Sequence, residues 1–256
     1  MPNTLFIGKV YHRFDELPST NDYVQELLAK GRPPEGMVVR AASQSAGRGQ
    51  FGSQWQSAPG ENLLLSVVLY PNWLEASAQF YLSMAVALAL RDLSLQCAAP
   101  GILPSAWVKW PNDLYLDDRK CAGILIQNTL SGRYLQSAVV GIGLNVNQTH
   151  FGSDVPNPTS LSLVLNQRMD IEFVAALLFE CLERRYLQLK SGQRTALKAD
   201  YEQHLYRQGQ LARYSRPDGW VFEGAIQGVT EEGRLRIALT TGQEETFGMK
   251  ELSLET

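Results

Sequence analysis

The chain is poor in the residues that most often carry catalysis on their own, with 3 histidines and 3 cysteines in 256 residues. His12, His150 and His204 are scattered, so neither a Ser-His-Asp triad nor a zinc site can be assembled around them. Cys97, Cys121 and Cys181 are odd in number, far apart and in no metal-ligand spacing. That argues against a disulfide framework and suits a reducing compartment. Neither sign of charge is in excess: the formal net charge is -3, which argues against a nucleic-acid surface over the whole molecule. The longest apolar run, about residues 80–90, is too short to span a bilayer. Met1-Pro2-Asn3-Thr4 lacks the basic and apolar regions of a signal peptide, so the expected address is the cytoplasm, away from membranes. No internal repeat or low-complexity segment interrupts a composition of 45% hydrophobic and 19% charged residues, that of an ordinary globular protein. The length fits one large domain, or one with a small appendage.

Against this background the stretch Ser43-Gln44-Ser45-Ala46-Gly47-Arg48-Gly49-Gln50-Phe51-Gly52-Ser53-Gln54-Trp55 stands out. Its glycines let a backbone wrap a ligand and bring N–H groups close to it, and Arg48 adds a bidentate fork for phosphate or carboxylate. Gly47 to Gly52 reads literally as G-x-G-x-x-G. A dinucleotide fingerprint needs a helix beginning at the loop, and here Ser57-Ala58-Pro59-Gly60 breaks any helix. No acid ends a second strand about 20 residues on, as that motif requires. A P-loop is excluded as well, because no G-K-[S/T] follows. The remaining readings are an anion-binding loop and a mobile surface loop.

The rest of the chain reads as a first strand over residues 10–17, stopped by Pro18. Next comes a helix whose Ser19 or Thr20 either caps its N-terminus or, with Asn21, presents polar groups to a ligand head. Strands are expected over 37–42 and 63–69, with a buried helix over 80–95 and a loop over 98–105. In residues 106–116, Lys109 lies within an apolar strand and shares a face with Trp107 by the two-residue period. An ammonium there must reach water or an anion. Pro111-Asn112-Asp113 forces a bend, and residues 117–120 form a hairpin turn into a strand over 121–126. Gly123 in that strand suggests close approach by a ligand or another backbone. A strand over 134–144 ends at Asn145, which presents an amide or shapes a turn. Asp170 caps a helix over 171–190, and another runs over 195–205. After Gly209, four short strands separated by turns at 217–219, 231–233 and 241–242 suggest a small antiparallel barrel. The fold class read from this pattern is α+β over 1–205, with a small barrel over 206–256.

The ordered set Ser19-Thr20-Asn21, Gln44 with the glycine loop and Trp55, Val108-Lys109-Trp110-Pro111-Asn112-Asp113, Lys120-Cys121-Ala122-Gly123-Ile124-Leu125 and Gly141-Ile142-Gly143-Leu144-Asn145 resembles biotin–protein ligases. The resemblance covers about residues 5–195 and implies a class II synthetase-like catalytic fold, a mixed sheet with flanking helices, followed by an SH3-like barrel. It implies a two-step reaction: ATP converts biotin to biotinoyl-AMP, releasing pyrophosphate, and a lysine on a biotin carboxyl carrier domain, such as that of acetyl-CoA carboxylase, attacks the anhydride. Mg²⁺ is expected with ATP, held by phosphates and water without a protein metal site. By this likeness Lys109 and Arg48 are the catalytic pair. Ser19, Thr20, Asn21, Gln44, Gly47, Arg48, Trp55, Lys109 and Gly123 would hold biotin. Arg48, Gly49, Gln50, Trp55, Lys109, Asn112 and Asn145 would hold the nucleotide. Many relatives carry arginines at the positions of Gln50 and Ser53, and their absence implies weaker retention of the adenylate. The short segment before the first strand leaves no room for a DNA-binding domain, so the expectation is an enzyme that modifies carriers and does not bind DNA, as a monomer or homodimer. The rival readings are a lipoate–protein ligase, which shares the fold and the adenylation chemistry, and a non-catalytic binding module.

Overall fold

A computed structural model describes residues 2–98, 104–153 and 156–255, so most of the loop expected over residues 98–105 lies outside the described residues. Seven strands form one mixed sheet: β1 (Tyr11–Leu17), β2 (Val38–Gln44), β3 (Leu63–Leu69), β4 (Ala106–Lys109), β5 (Asp113–Leu116), β6 (Arg119–Ser131) and β7 (Tyr134–Leu144). Their order is β1-β2-β3-β7-β6-β5-β4. Only β1 and β2 run parallel, joined by the crossover helix α1 (Thr20–Lys30); every other neighbour is antiparallel. The bend expected at Pro111-Asn112-Asp113 separates β4 from β5, because Pro111 lacks the N–H a ladder needs and the chain turns back on itself there.

The two faces of the sheet are covered differently. Leu63, Leu65, Val67 and Leu69 of β3 alternate toward a large apolar cluster under α2 (Phe80–Cys97). Val68 points the other way, toward a smaller cluster under α1. α2 is apolar almost all round because it is enclosed between the sheet and α4 (Ile171–Lys190), which follows the short α3 (Leu161–Leu165). Asp170 caps α4, its carboxylate accepting from Glu172 N at 2.9 Å. The buried Glu183 of α4 is satisfied by the N–H groups of Leu5, Phe6 and Ile7, which ties the N-terminal segment down. Arg185 forks onto Asp92 of α2 at 2.8 and 2.9 Å and reaches Asp200 of α5 (Arg194–Gln203) at 2.7 Å, joining three helices. Burial alone would raise the Asp92 carboxyl, but hydrogen bonds from Arg185 and Arg184 outweigh it and hold the group below the usual range.

Residues after α5 form a second, antiparallel sheet: β8 (Leu211–Ser215), β9 (Val221–Val229), β10 (Leu235–Leu239), β11 (Glu244–Phe247) and β12 (Ser253–Leu254), in the order β11-β10-β9-β8-β12. This is the small barrel that the turn spacing implied. It is fastened to the larger unit. Trp110 Nε1 donates to Gly233 O at 2.8 Å, and Glu202 of α5 accepts from Val229 N at 2.9 Å. Gly233 has φ 88°, and a Cβ there would stand 2.1 Å from the Phe80 ring, so only glycine fits that turn. The apolar core runs through the junction near residue 205 without a break. Among the described residues no helix is long and apolar enough to cross a membrane.

Candidate active site

The site lies on the α1 face of the sheet, where β1 ends at Pro18 and α1 begins. Ser19 is the N-cap, accepting from Asp22 N at 3.3 Å. Thr20 N–H donates to Gln44 Oε1 at 2.7 Å, so the last residue of β2 caps the same helix from the neighbouring strand. Beneath them Ser66, fully buried in β3, lies 2.8 Å from Thr20 Oγ1 and 2.5 Å from Asn21 Oδ1. Asn21 Nδ2 in turn donates to Gln127 Oε1 at 3.1 Å. The helix start is thus a dense set of amide and hydroxyl groups held from below.

The glycine-rich stretch folds as a hairpin over this helix end. Trp55 N donates to Gly47 O at 3.0 Å and Gly49 N to Ser53 O at 2.7 Å, with a tight turn at Gln50–Gly52 as the tip. The glycines serve that hairpin first. A Cβ at Gly47 would stand 2.6 Å from Trp55 O, and one at Gly49 would stand 2.4 Å from Ser53 Oγ. The Gly49 N–H, expected to hold a ligand oxygen, is used inside the loop. Arg48 reaches Asp22 in the first turn of α1 at 2.5 Å, so the loop's cation rests on the helix that carries the polar set.

Trp55 is the reason for two more glycines. Gly123 of β6 and Gly143 of β7 are directly paired, and the indole lies flat across both. A Cβ at Gly123 would be 2.9 Å from the ring and one at Gly143 only 2.4 Å. Gly141, next on the same face, makes room for Asn21. The close approach inferred at Gly123 is therefore that of Trp55.

Beyond the indole stands Lys120 of β6, its Nζ 2.8 Å from Asp113 Oδ1 and 5.7 Å from the centre of the Trp55 ring. Burial raises the Asp113 carboxyl above its usual value, with the Lys120 and Lys109 charges acting against it. Together these groups enclose a cavity of about 150 Å³ lined by Ser19, Thr20, Asn21, Gln44, Arg48, Gly49, Gln50, Trp55, Asn112, Asp113, Lys120, Gly123, Gly141 and Gly143, among others. Among the described residues no thiol or imidazole lines it. Cys97, the most exposed of the three free cysteines, has its thiol pushed up to about 11 by burial.

Three residues singled out in the sequence stand elsewhere. Lys109 does not line this cavity. The alternation that put it on the Trp107 face holds, but β4 is the edge strand, and the Tyr115 hydroxyl takes the ammonium at 3.0 Å. Lys120 is two strands nearer the centre of the sheet, and a bulge between Leu114 and Tyr115 sets its register. Lys109 instead lines a second cavity of about 490 Å³ between the two units, with Trp110, Tyr206 and Arg207. Gly47 supports the hairpin without lining the cavity. Asn145 is buried behind β7, where its Nδ2 donates to Thr159 O at 2.9 Å. Asn112 lies at the mouth, its Nδ2 bound to Ile124 O at 2.8 Å. Sequence reasoning missed Lys120, Asp113, Ser66 and Gly143 as site residues. Lys120 and Gly143 lie in the motif blocks, whereas nothing in the sequence marks Ser66.

Comparison with known proteins agrees with this construction. Residues 13–145, just over half of the chain, match the model of the Biotin/lipoate A/B protein ligase family. The chain is 32% identical over 244 residues to a bifunctional ligase/repressor BirA from Bacillus subtilis, covering 93% of this chain and 71% of that protein. It is 31% identical over 234 residues to a biotin–[acetyl-CoA-carboxylase] ligase from Mycobacterium tuberculosis, covering 89% and 84% respectively. In fold it resembles the biotin protein ligase of Aquifex aeolicus solved with biotin and ATP, with a TM-score of 0.78 at 24% identity over 96% of this chain and 99% of that one. Sequence relatives of nearly full coverage and a family model that ends at Asn145, after the last site strand, lead to one conclusion: the chain belongs to the biotin/lipoate A/B protein ligase family.

Proposed function

We propose that this protein is an ATP-dependent biotin–protein ligase. A biotin carboxylate oxygen attacks the α-phosphorus of ATP, pyrophosphate leaves, and biotinoyl-AMP forms. The ε-amine of a carrier lysine then attacks the acyl carbon, and AMP departs with the bond's electron pair. The observation that carries this reading is the layout of the 150 Å³ cavity: a polar helix end, an indole wall and a lysine at the far side. The ureido ring would meet Ser19, Thr20, Asn21 and Gln44, and the acyl chain would run along Trp55. The carboxylate would reach Lys120 and Arg48. A carboxylate approaching a polyphosphate needs fixed positive charge in a site that excludes water, and Lys120, held by Asp113, supplies it. Arg48 joins by exchanging Asp22 for the substrate.

Lys109 keeps a place on the nucleotide side. Its ammonium faces the larger cavity beside the hairpin, into which the phosphates would extend, while Gln50 borders both spaces and Asn112 borders the smaller one. Mg²⁺ would enter with ATP, held by phosphates and water. Asp113, the one carboxylate lining the smaller cavity among the described residues, is committed to Lys120. A dithiolane ring has no donor–acceptor set to match the helix-end groups, which favours biotin over lipoate. The relatives' names point to the carrier domain of acetyl-CoA carboxylase as the acceptor, and the three free cysteines suit the cytoplasm. The test is transfer of labelled biotin to the lysine of a purified carrier domain in the presence of ATP. Labelling with biotin and not with lipoate supports the assignment. Lipoate transfer alone would move the protein to the other branch of its family.

A further inference from the structure

We infer that Phe51 and Lys250 form a latch by which the barrel holds the glycine hairpin closed over the activated intermediate. The inference rests on the ligase reading for its purpose, but the contact itself is independent of that reading. Phe51 is the hairpin's tip, 57% exposed, in the left-handed region at φ 55°. A left-handed backbone is rare for a bulky residue, and here it directs the aromatic ring towards the barrel. What receives it is Lys250, also left-handed at φ 64°, whose ammonium lies 4.4 Å from the centre of the Phe51 ring. No acidic side chain pairs with Lys250 among the described residues, so this cation is directed at the ring and nowhere else in particular.

The turn that presents Lys250 is braced. Glu251 Oε2 accepts from Gly248 N at 2.7 Å and from Arg234 at 2.9 Å, and Arg234 also donates to Thr246 O at 3.1 Å. Arg234 follows Gly233, the residue seated on Phe80 and bound to Trp110. The post is thus rigidly tied to the larger unit, whereas the hairpin hangs from its own rungs and from the Arg48–Asp22 pair at its base. Gln50, Phe51 and Met249 border both of the larger cavities flanking the site, on the side into which the nucleotide would extend. Opening the latch admits water, which attacks the acyl carbon and releases free biotin and AMP. Phe51 and Lys250 are positioning residues: they touch no reacting atom and act through the hairpin.

The test uses the full chain and three single variants: Lys250→Met, which keeps the stem and removes the charge, Lys250→Arg, which keeps the charge, and Phe51→Leu. The first readout needs no substrate. Trypsin cuts the hairpin after Arg48, and mass spectrometry follows that cut in the ligand-free protein. Lys250→Met and Phe51→Leu should be cut about two to five times faster than wild type, the factor an exposed cation–π contact allows. Lys250→Arg should match wild type, and the double variant Phe51→Leu/Lys250→Met should be cut no faster than either single. The second readout is AMP release with biotin and ATP in the absence of acceptor, which should rise by the same factor. Unchanged cleavage and AMP release in Lys250→Met, or additive effects in the double variant, would overturn the latch. A wild-type protein that forms no adenylate at all would sink the ligase reading instead, while the cleavage comparison would still decide the latch.

Discussion

Replacing Gly143 by alanine should weaken biotin binding and slow adenylation in a protein that still folds. The added Cβ would stand 2.4, 2.7 and 2.8 Å from three atoms of the Trp55 indole. Carbon atoms in contact prefer about 3.5–4.0 Å, so the ring must retreat by more than about 1 Å. The strand beneath cannot yield, because Gly143 pairs with Gly123 on one side and Leu64 on the other in the middle of the sheet. The indole therefore swings into a cavity of only about 150 Å³. Overpacking costs about 1–3 kcal/mol, and replacing a strand glycine by alanine returns about 0.5–1 kcal/mol, so net stability falls by at most about 2.5 kcal/mol. That is a drop of a few degrees in Tm for a chain of this size. A displacement of this size at the acyl chain can lower the adenylation rate by about 10²-fold, and biotin affinity should fall at least tenfold, about 1.4 kcal/mol. Gly123→Ala, whose Cβ would meet the ring at 2.9 Å, should have the same effect in milder form. Gly31→Ala serves as the control, with extended backbone at φ 176° and no atom within 4 Å of the new methyl. Calorimetric titration of biotin and thermal unfolding of the three variants would rank them. Wild-type biotin affinity in Gly143→Ala would refute the placement of Trp55 as the wall of the site.

Ser66→Ala removes the hydroxyl that lies under Thr20 and Asn21 and leaves the Asn21 carbonyl oxygen short of a donor; a loss of about 1–3 kcal/mol in denaturant unfolding is expected, with weakened biotin binding. Asp92→Asn should lower stability by about 1–3 kcal/mol at neutral pH, because two arginines lose a charged partner between α2 and α4. The folded-state pKa of Asp92 is depressed, so its contribution is present above the unfolded value near 4 and is lost as pH falls through the lower folded value. The wild-type and variant unfolding curves should therefore differ fully at pH 7 and converge below about pH 4. Lys120→Met should reduce adenylation by about 10²–10³-fold, the loss seen when a transition-state charge stabiliser is removed, whereas Lys109→Met should act mainly on the KM for ATP; steady-state kinetics of both would separate the roles.

Much of this fold was legible because local and global signals agree. The strands over 63–69 and 134–144 and the helix over 171–190 were read to the residue, from continuous apolar runs bounded by turns and from the Asp170 cap. The helix-end set of Ser19, Thr20, Asn21 and Gln44, together with Trp55 and Asn112, was also found, and the structure brings all of them to one cavity. The choice between the two lysines was not legible. Lys109 and Lys120 lie on the same face of the sheet, and which one reaches the cavity depends on strand order and on a one-residue bulge, neither of which leaves a local mark. The glycines illustrate the same limit. Gly47 and Gly49 read as ligand-binding backbone, yet the contacts that require them are with Trp55 and Ser53 of their own hairpin. Gly143 read as part of a strand end, and its requirement comes from a tryptophan far away in sequence. Asn145 shows the converse: a polar residue at a strand end that points inward, to anchor the chain entering α3.

The most direct measurement of the central claim is biotin-dependent exchange of labelled pyrophosphate into ATP by the purified chain. Exchange is expected with biotin, none with lipoate, and near-complete loss in Lys120→Met with the protein still folded. Absence of exchange from a folded wild-type protein that binds biotin, or full exchange in Lys120→Met, would contradict that claim.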